Sequence, residues 1–108
     1  MSKILELSIE RLEVFEERLG VKIEGLFACT DENNYIKING ELHSNEGTQL
    51  EQNIKLMISA HDSSGRIVGT DYSLISAESF FGFEIFSEYF QAQSESVSRV
   101  RIYPRQSD

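Results

Sequence analysis

In YIKINGELHS, residues 35 to 44, apolar and polar side chains alternate without a break, and NIKLMISAHD, residues 53 to 62, repeats the pattern. A period of two is the repeat of a pleated strand, whose successive side chains point to opposite faces; a helix cannot gather such a pattern on one side. The first stretch therefore puts Ile36, Ile38, Gly40 and Leu42 toward a core and Tyr35, Lys37, Asn39, Glu41 and His43 toward water. The second puts Ile54, Leu56, Ile58 and Ala60 inward and Lys55, Met57, Ser59 and His61 outward. One dry face and one wet face per strand is the habit of antiparallel sheets.

Less regular stretches extend the reading. RIVGTDYSL offers Val68, Thr70, Tyr72 and Leu74 as one face, and VSRVRIYP sets Val100 and Ile102 against Arg99, Arg101 and Tyr103, with Pro104 closing the strand. VKIEGLFACT aligns Val21, Ile23, Phe27 and Cys29, which makes Cys29 a small buried hydrophobe. Residues 3–19 fit two templates. Leu5, Leu7 and Ile9 alternate as a strand does, with a slip to Leu12 and Val14, whereas Leu5, Ile9, Leu12 and Leu19 also share a helical stripe that Gly20 could cap. The strand reading, turning at Arg18-Leu19-Gly20 into VKIEG, leaves fewer apolar residues wet. Clusters such as DENN, SNEGTQLEQ, DSSG, ISAES and QAQSES separate the runs, and RQSD is expected to be a loose end. About seven short strands without a helix to cover a parallel sheet predict an all-β chain, a single antiparallel sandwich of immunoglobulin-like type.

The chain has 108 residues, the size of one domain with one core. Its formal charge of −8 opposes nucleic acid and anionic membrane surfaces unless a basic patch is segregated. The one such concentration is Arg99, Arg101 and Arg105, read as a solvated edge, so neither nucleic acid nor membrane is expected as a partner. A lone cysteine forms no internal disulfide and no cysteine-rich zinc site, and the opening residues lack the apolar run of a leader. Cytoplasmic residence is the resulting expectation.

HDSSG, residues 61 to 65, juxtaposes a histidine, an acid and two serines, but the same letters spell a four-residue hairpin loop. Asp62 can accept from the loop's own N–H groups and Gly65 can take positive φ. A triad needs base and nucleophile to converge, which adjacent strand residues do not, so no catalytic residue is expected. His43 and His61 with Asp62 suggest a two-histidine metal site, and the oxygen-rich loops carrying Asp31, Glu32 and Asp62 suggest calcium; spacing supplies neither with a full ligand set, and no cofactor is expected.

IKINGELHSNEGTQLEQNIKLMISAHDSSGRIVGT resembles the FxLYD-type and related bacterial immunoglobulin-like domains. In these, a strand ending Gly-x-apolar-x-Asn is followed by a second strand ending at a D-x-x-G-apolar-Val hairpin. Gly40, Leu42 and Asn45 match the first part, and Asp62, Gly65, Ile67 and Val68 the second. The naming motif falls on Ile58, Ser59, Ala60, His61 and Asp62, of which Asp62 alone is kept. The resemblance covers the middle third of the chain and implies a seven-stranded sandwich serving as an accessory or interaction module.

SFFGFEIFSEYF, residues 79 to 90, is the least ordinary segment. With Phe81, Phe83 and Ile85 turned inward, Phe80, Phe86 and Phe90 fall on the wet side, where large rings mark contact surfaces. Phe86, Phe90 and Tyr89 are then the expected anchors of a non-catalytic interaction module whose partner is another protein or a second copy of the chain; the alternative is that the strand bends or ends near Ser87 and Phe90 folds back over the open edge of the core. The competing expectation is an ion- or small-molecule-binding sandwich using the acidic loops and the two histidines.

Overall fold

The computed structural model describes residues 4–45, 47–93 and 96–107. Its elements run β1 (Leu5–Glu6), β2 (Ser8–Arg11), α1 (Glu13–Arg18), β3 (Val21–Thr30), β4 (Tyr35–Ser44), β5 (Ile54–Asp62), β6 (Ile67–Ile75), β7 (Phe83–Gln91) and β8 (Val97–Gln106). Two four-stranded sheets face each other, ordered β1-β3-β4-β7 and β2-β8-β5-β6. The chain changes sheet between β1 and β2, β2 and β3, β4 and β5, β6 and β7, and β7 and β8, and the result is an immunoglobulin-like sandwich. The sheets are not wholly antiparallel as expected: β2 runs parallel to β8, Ser8 to Arg11 beside Arg99 to Ile102. The N-terminal segment crosses from one sheet to the other at Leu7, whose N–H donates to Ala28 O, and this crossing sets its direction.

β4 and β5 supply the centre of the core as their alternation predicts, with Ile36, Ile38, Leu42, Ile54, Leu56, Ile58 and Ala60 all buried. Val100 and Ile102 of β8 and Val21 and Ile23 of β3 complete it. Among the described residues no helix is long and apolar enough to cross a membrane.

The structure corrects several expectations. Leu5–Glu6 and Ser8–Arg11 are strands, but Glu13–Arg18 is a short helix that ends where Gly20 takes φ 68°. Its Glu16 is buried and receives the Arg11 guanidinium and the Ile23 N–H at 3.0 Å, which ties the helix to β2 and β3. Cys29 is not in the core. A bulge between Glu24 and Phe27, with Gly25 at φ 63°, inserts one residue and reverses the phase of β3, so Ala28 turns inward while Phe27 and Cys29 turn outward. A second irregularity at Ala60/His61 shifts β6: Ser73 and Ile75 face the core, and Tyr72 and Leu74 lie outside. Pro104 does not end its strand. It pairs with Leu56 within β8, beyond the stretch that β2 covers, where the strand has one neighbour and a missing N–H is tolerated. Nor is the end of the chain loose through residue 107: Gln106 pairs with Ile54, and Ser107 N–H donates to Asn53 O. Asp108, Glu46 of the SNEGTQLEQ loop, Ser94 and Glu95 of QAQSES, and Lys3 of the first segment lie outside the described residues.

The largest correction concerns β7. Register with β4 places Glu84, Phe86, Glu88 and Phe90 opposite the inward residues Leu42, Gly40, Ile38 and Ile36. Phe86 is only 3% exposed, and Phe80 is also buried, whereas Phe81 (80%), Phe83 (50%) and Ile85 (68%) stand outside. Both parities of the segment carry aromatics, so alternation alone does not choose between them. Gly40 does: a Cβ there would come within 3.0 Å of the Phe86 ring, so its absence makes room for that ring. Glu84 and Glu88, on the inward parity of an edge strand, stay half-buried with a path to water, an arrangement that discourages edge-to-edge pairing.

Candidate functional site

Glu24 of β3 and Glu41 of β4 are direct partners in the antiparallel ladder, so their side chains leave the outer face of the sheet side by side. Like charges placed opposite each other destabilise a sheet unless something positive lies between them. Lys22 brings a positive charge to Glu24 from one side, and His43, two residues along β4 from Glu41 and thus on the same face, sets a ring nitrogen between the two carboxylates. Its Nε2 stands 2.9 Å from Glu41 Oε1 and 3.3 Å from Glu24 Oε2. The imidazole is held by stacking on Phe83 of β7, ring centres 5.3 Å apart and planes 14° from parallel. Lys22 Nζ lies 3.4 Å from Glu24 Oε1 and limits that carboxylate from the far side.

One ligating atom from each of Glu24, Glu41 and His43 lies within 4.8 Å of the other two, and no other such trio of histidine, cysteine and carboxylate groups occurs among the described residues. Ligands around a tetrahedral zinc ion stand about 3.4 Å apart, so small rotations of two exposed carboxylates would close the shell. The side chains are 45%, 42% and 31% exposed, which leaves further positions open to water or a ligand. One imidazole nitrogen with two carboxylate oxygens suits borderline ions such as zinc better than calcium, which prefers oxygen alone and more of it.

The other sequence-derived residues do not assemble with this trio. His43 and His61 lie on strands of different sheets, so the two-histidine site with Asp62 does not form. His61 is 2% exposed and braces the hairpin: Nε2 is 2.8 Å from Ser59 Oγ, and Nδ1 is 3.2 Å from Gly65 O. Asp62 caps the loop as DSSG predicts, its Oδ1 accepting from Ser64 N–H and Arg66 N–H at 2.9 Å each, with Gly65 at φ 87°. Those hydrogen bonds, the Arg66 N–H foremost, hold the Asp62 carboxyl below its ordinary range despite opposing desolvation. Asp31 serves its own turn likewise, accepting from Asn33 N–H at 2.9 Å and Tyr35 N–H at 3.1 Å, and Glu32 is exposed beside it. Oxygens spent on turn N–H groups are poorly available to calcium.

Of the three aromatic anchors, Phe86 belongs to the core, so it is not an outward contact residue. Phe90 is half-buried against the core and closes the side of the sandwich over Gly69, where a Cβ would come within 3.3 Å of its ring. Tyr89 is exposed and stacks on Tyr35, centroids 4.9 Å apart. Loss of hydration, then the Asp31 charge, raises its phenol above the ordinary value.

The alternation of β4 puts Glu41 and His43 on one wet face, which is two of the three site residues. Glu24 was missing because its register with Glu41 spans two strands. Comparison of the chain with protein-family models, with curated proteins and with solved structures found no match.

Proposed function

We propose that this sandwich is a non-catalytic binding module whose ligand is a divalent transition-metal ion, held on the outer face of the β1-β3-β4-β7 sheet by Glu24, Glu41 and His43. The carrying observation is the mutual approach of their three ligating atoms to within 4.8 Å on adjacent strands, where Glu24 and Glu41 are direct ladder partners just before the β3 bulge. A rigid ladder presets the ligands, and the open positions of a three-ligand site leave room for a carboxylate or imidazole from a partner. The reading draws on the sandwich architecture and on this site, not on a kinship with FxLYD-type domains, whose motif is kept only at Asp62.

Thermal unfolding with and without zinc tests it. A ligand confined to the folded state stabilises by about 2.7 kcal/mol at a hundredfold excess over its Kd. The wild type is expected to gain melting temperature saturably with zinc and not with calcium, and His43→Ala to lose the gain while remaining folded. An unchanged melting temperature in zinc, or an equal gain in His43→Ala, overturns the proposal.

A second reading, a protein contact on the same face, is favoured by the exposure of Phe83, Ile85 and Tyr89 in a line along β7. It differs in needing no metal: self-association seen by light scattering in the presence of a chelator, and abolished by Ile85→Ser, would favour it.

A further inference from the structure

The outer face of the second sheet carries a charge opposite to that of the chain. On it stand Arg99, Arg101 and Arg105 of β8 and Lys55 of β5, with Glu10 of β2 as the facing carboxylate, in a protein whose net charge is −8. Arg99 and Arg101 are not at the sheet edge that the sequence suggested, because there β8 lies between β2 and β5, whereas at Arg105 β8 has β5 as its neighbour. Glu10 Oε1 meets both neighbours through their Nε atoms, Arg101 at 3.0 Å and Arg99 at 3.5 Å. The Arg101 hydrogen bond, then the charges of both guanidiniums, hold Glu10 ionised below its ordinary range against some desolvation. One carboxylate thus fixes two guanidiniums by their inner nitrogens, and no carboxylate is found on their terminal N–H groups among the described residues. Arg105 is exposed, and no carboxylate partner is found for it among the described residues. Lys55 Nζ sits 4.3 Å from the centre of the Tyr72 ring.

Beside this row is a shallow hollow of about 180 Å³ lined by Met57, Ser59, Ile67, Thr70, Arg101 and Tyr103. Along a strand, side chains of one face recur every 6.8 Å or so, which places Arg99, Arg101, Tyr103 and Arg105 on a regular ruler. We propose that this face docks an extended acidic segment of another protein, with carboxylates at positions i, i+2 and i+6 on Arg99, Arg101 and Arg105 and an apolar side chain at i+4 in the hollow beside Tyr103. The match is one of charge and of period, since an extended partner repeats at the same spacing as β8. A two-fold contact of this face with itself is disfavoured, because it would set arginines against arginines. A polyphosphate shares the charge but has nothing to place in the apolar hollow.

Fluorescence polarisation with a labelled peptide, Glu-Thr-Glu-Thr-Leu-Thr-Glu, against the full chain tests the inference. Binding is expected below about 1 mM, to weaken as salt rises from about 50 to 200 mM, and to fall about tenfold or more in Arg101→Gln/Arg105→Gln. Lys37→Gln, on the other sheet, is expected to bind as the wild type does, and melting curves confirm that each variant is folded. Arg105→Glu alone, which leaves the Glu10 pairs intact, is expected to weaken binding as well and serves if the double variant does not fold. Absence of binding, equal binding of the peptide with Gln in place of Glu, tighter binding of a single-stranded oligonucleotide, or salt-sensitive self-association lost in the same variants each overturns it.

Discussion

Asp62 shows how one side chain settles a local fold and then makes it sensitive to pH. Its Oδ1 takes two loop N–H groups, its backbone N–H and O close the hairpin with Arg66 and Gly65, and Arg66 Nε stands 3.5 Å from Oδ2. The contacts to the carboxylate oxygens, the Arg66 N–H foremost, favour the ionised form and outweigh desolvation, so the native pKa lies below the ordinary 3.8. For a depressed carboxyl, the unfolded chain takes up the proton first as pH falls. The stabilisation is complete above the unfolded value and disappears as pH drops through the native one. Asp62→Asn keeps the shape and removes the charge. The expected result is a melting temperature below that of the wild type at pH 6, with the gap closing as pH falls below the ordinary carboxylate value; a gap that stays constant on acidification would assign the loss to shape alone.

At the scale of elements, what was legible depended on whether a strand kept its phase. β4 and β5 pair on both sides over nearly their whole length, so their alternation runs unbroken and their inward residues were all correctly placed. β3 and β6 each change phase at an irregularity, and a period-two pattern carried across such a point assigns every later residue to the wrong face. β7 has aromatics at both parities, and its facing was decided by a neighbour, Gly40, rather than by its own sequence. The candidate site was legible in two of its three residues for the same reason: Glu41 and His43 share a strand, while Glu24 joins them only through register. Gly40 lies where the bulge, β4 and β7 meet, with Leu26, the Phe86 ring and the Glu24 carbonyl oxygen each 3.0 to 3.1 Å from where a Cβ would stand. Two of those atoms belong to packed side chains and one to backbone, so none yields freely. Gly40→Ala is expected to destabilise the fold by about 1–3 kcal/mol, as overpacking does, measured by urea unfolding. An unchanged midpoint would mean that the three elements shift together without strain.

At the scale of the molecule, the sandwich presents two outer faces of different chemistry with one core between them. The β1-β3-β4-β7 face holds Glu24, Glu41 and His43 beside exposed Phe83 and Ile85; the β2-β8-β5-β6 face holds the arginine row and its hollow. Facing sheets stand about 10 Å apart, and side chains on the two outer surfaces are further from each other than that. No residue of the metal trio contacts the arginines or Glu10 through any hydrogen bond or ion pair found among the described residues. What lies between them is the apolar core, which transmits strain only if a substitution changes its packing, and neither His43 nor Arg101 is part of that core. The two faces should therefore act independently. In a cycle of wild type, His43→Ala, Arg101→Ala and the double variant, the changes in unfolding free energy are expected to add to within about 0.5 kcal/mol. Zinc should raise the melting temperature of Arg101→Ala as much as that of the wild type. A coupling above about 1 kcal/mol would mean that the sheets move as one unit, and occupancy of one face would then alter affinity at the other by the same factor in both directions.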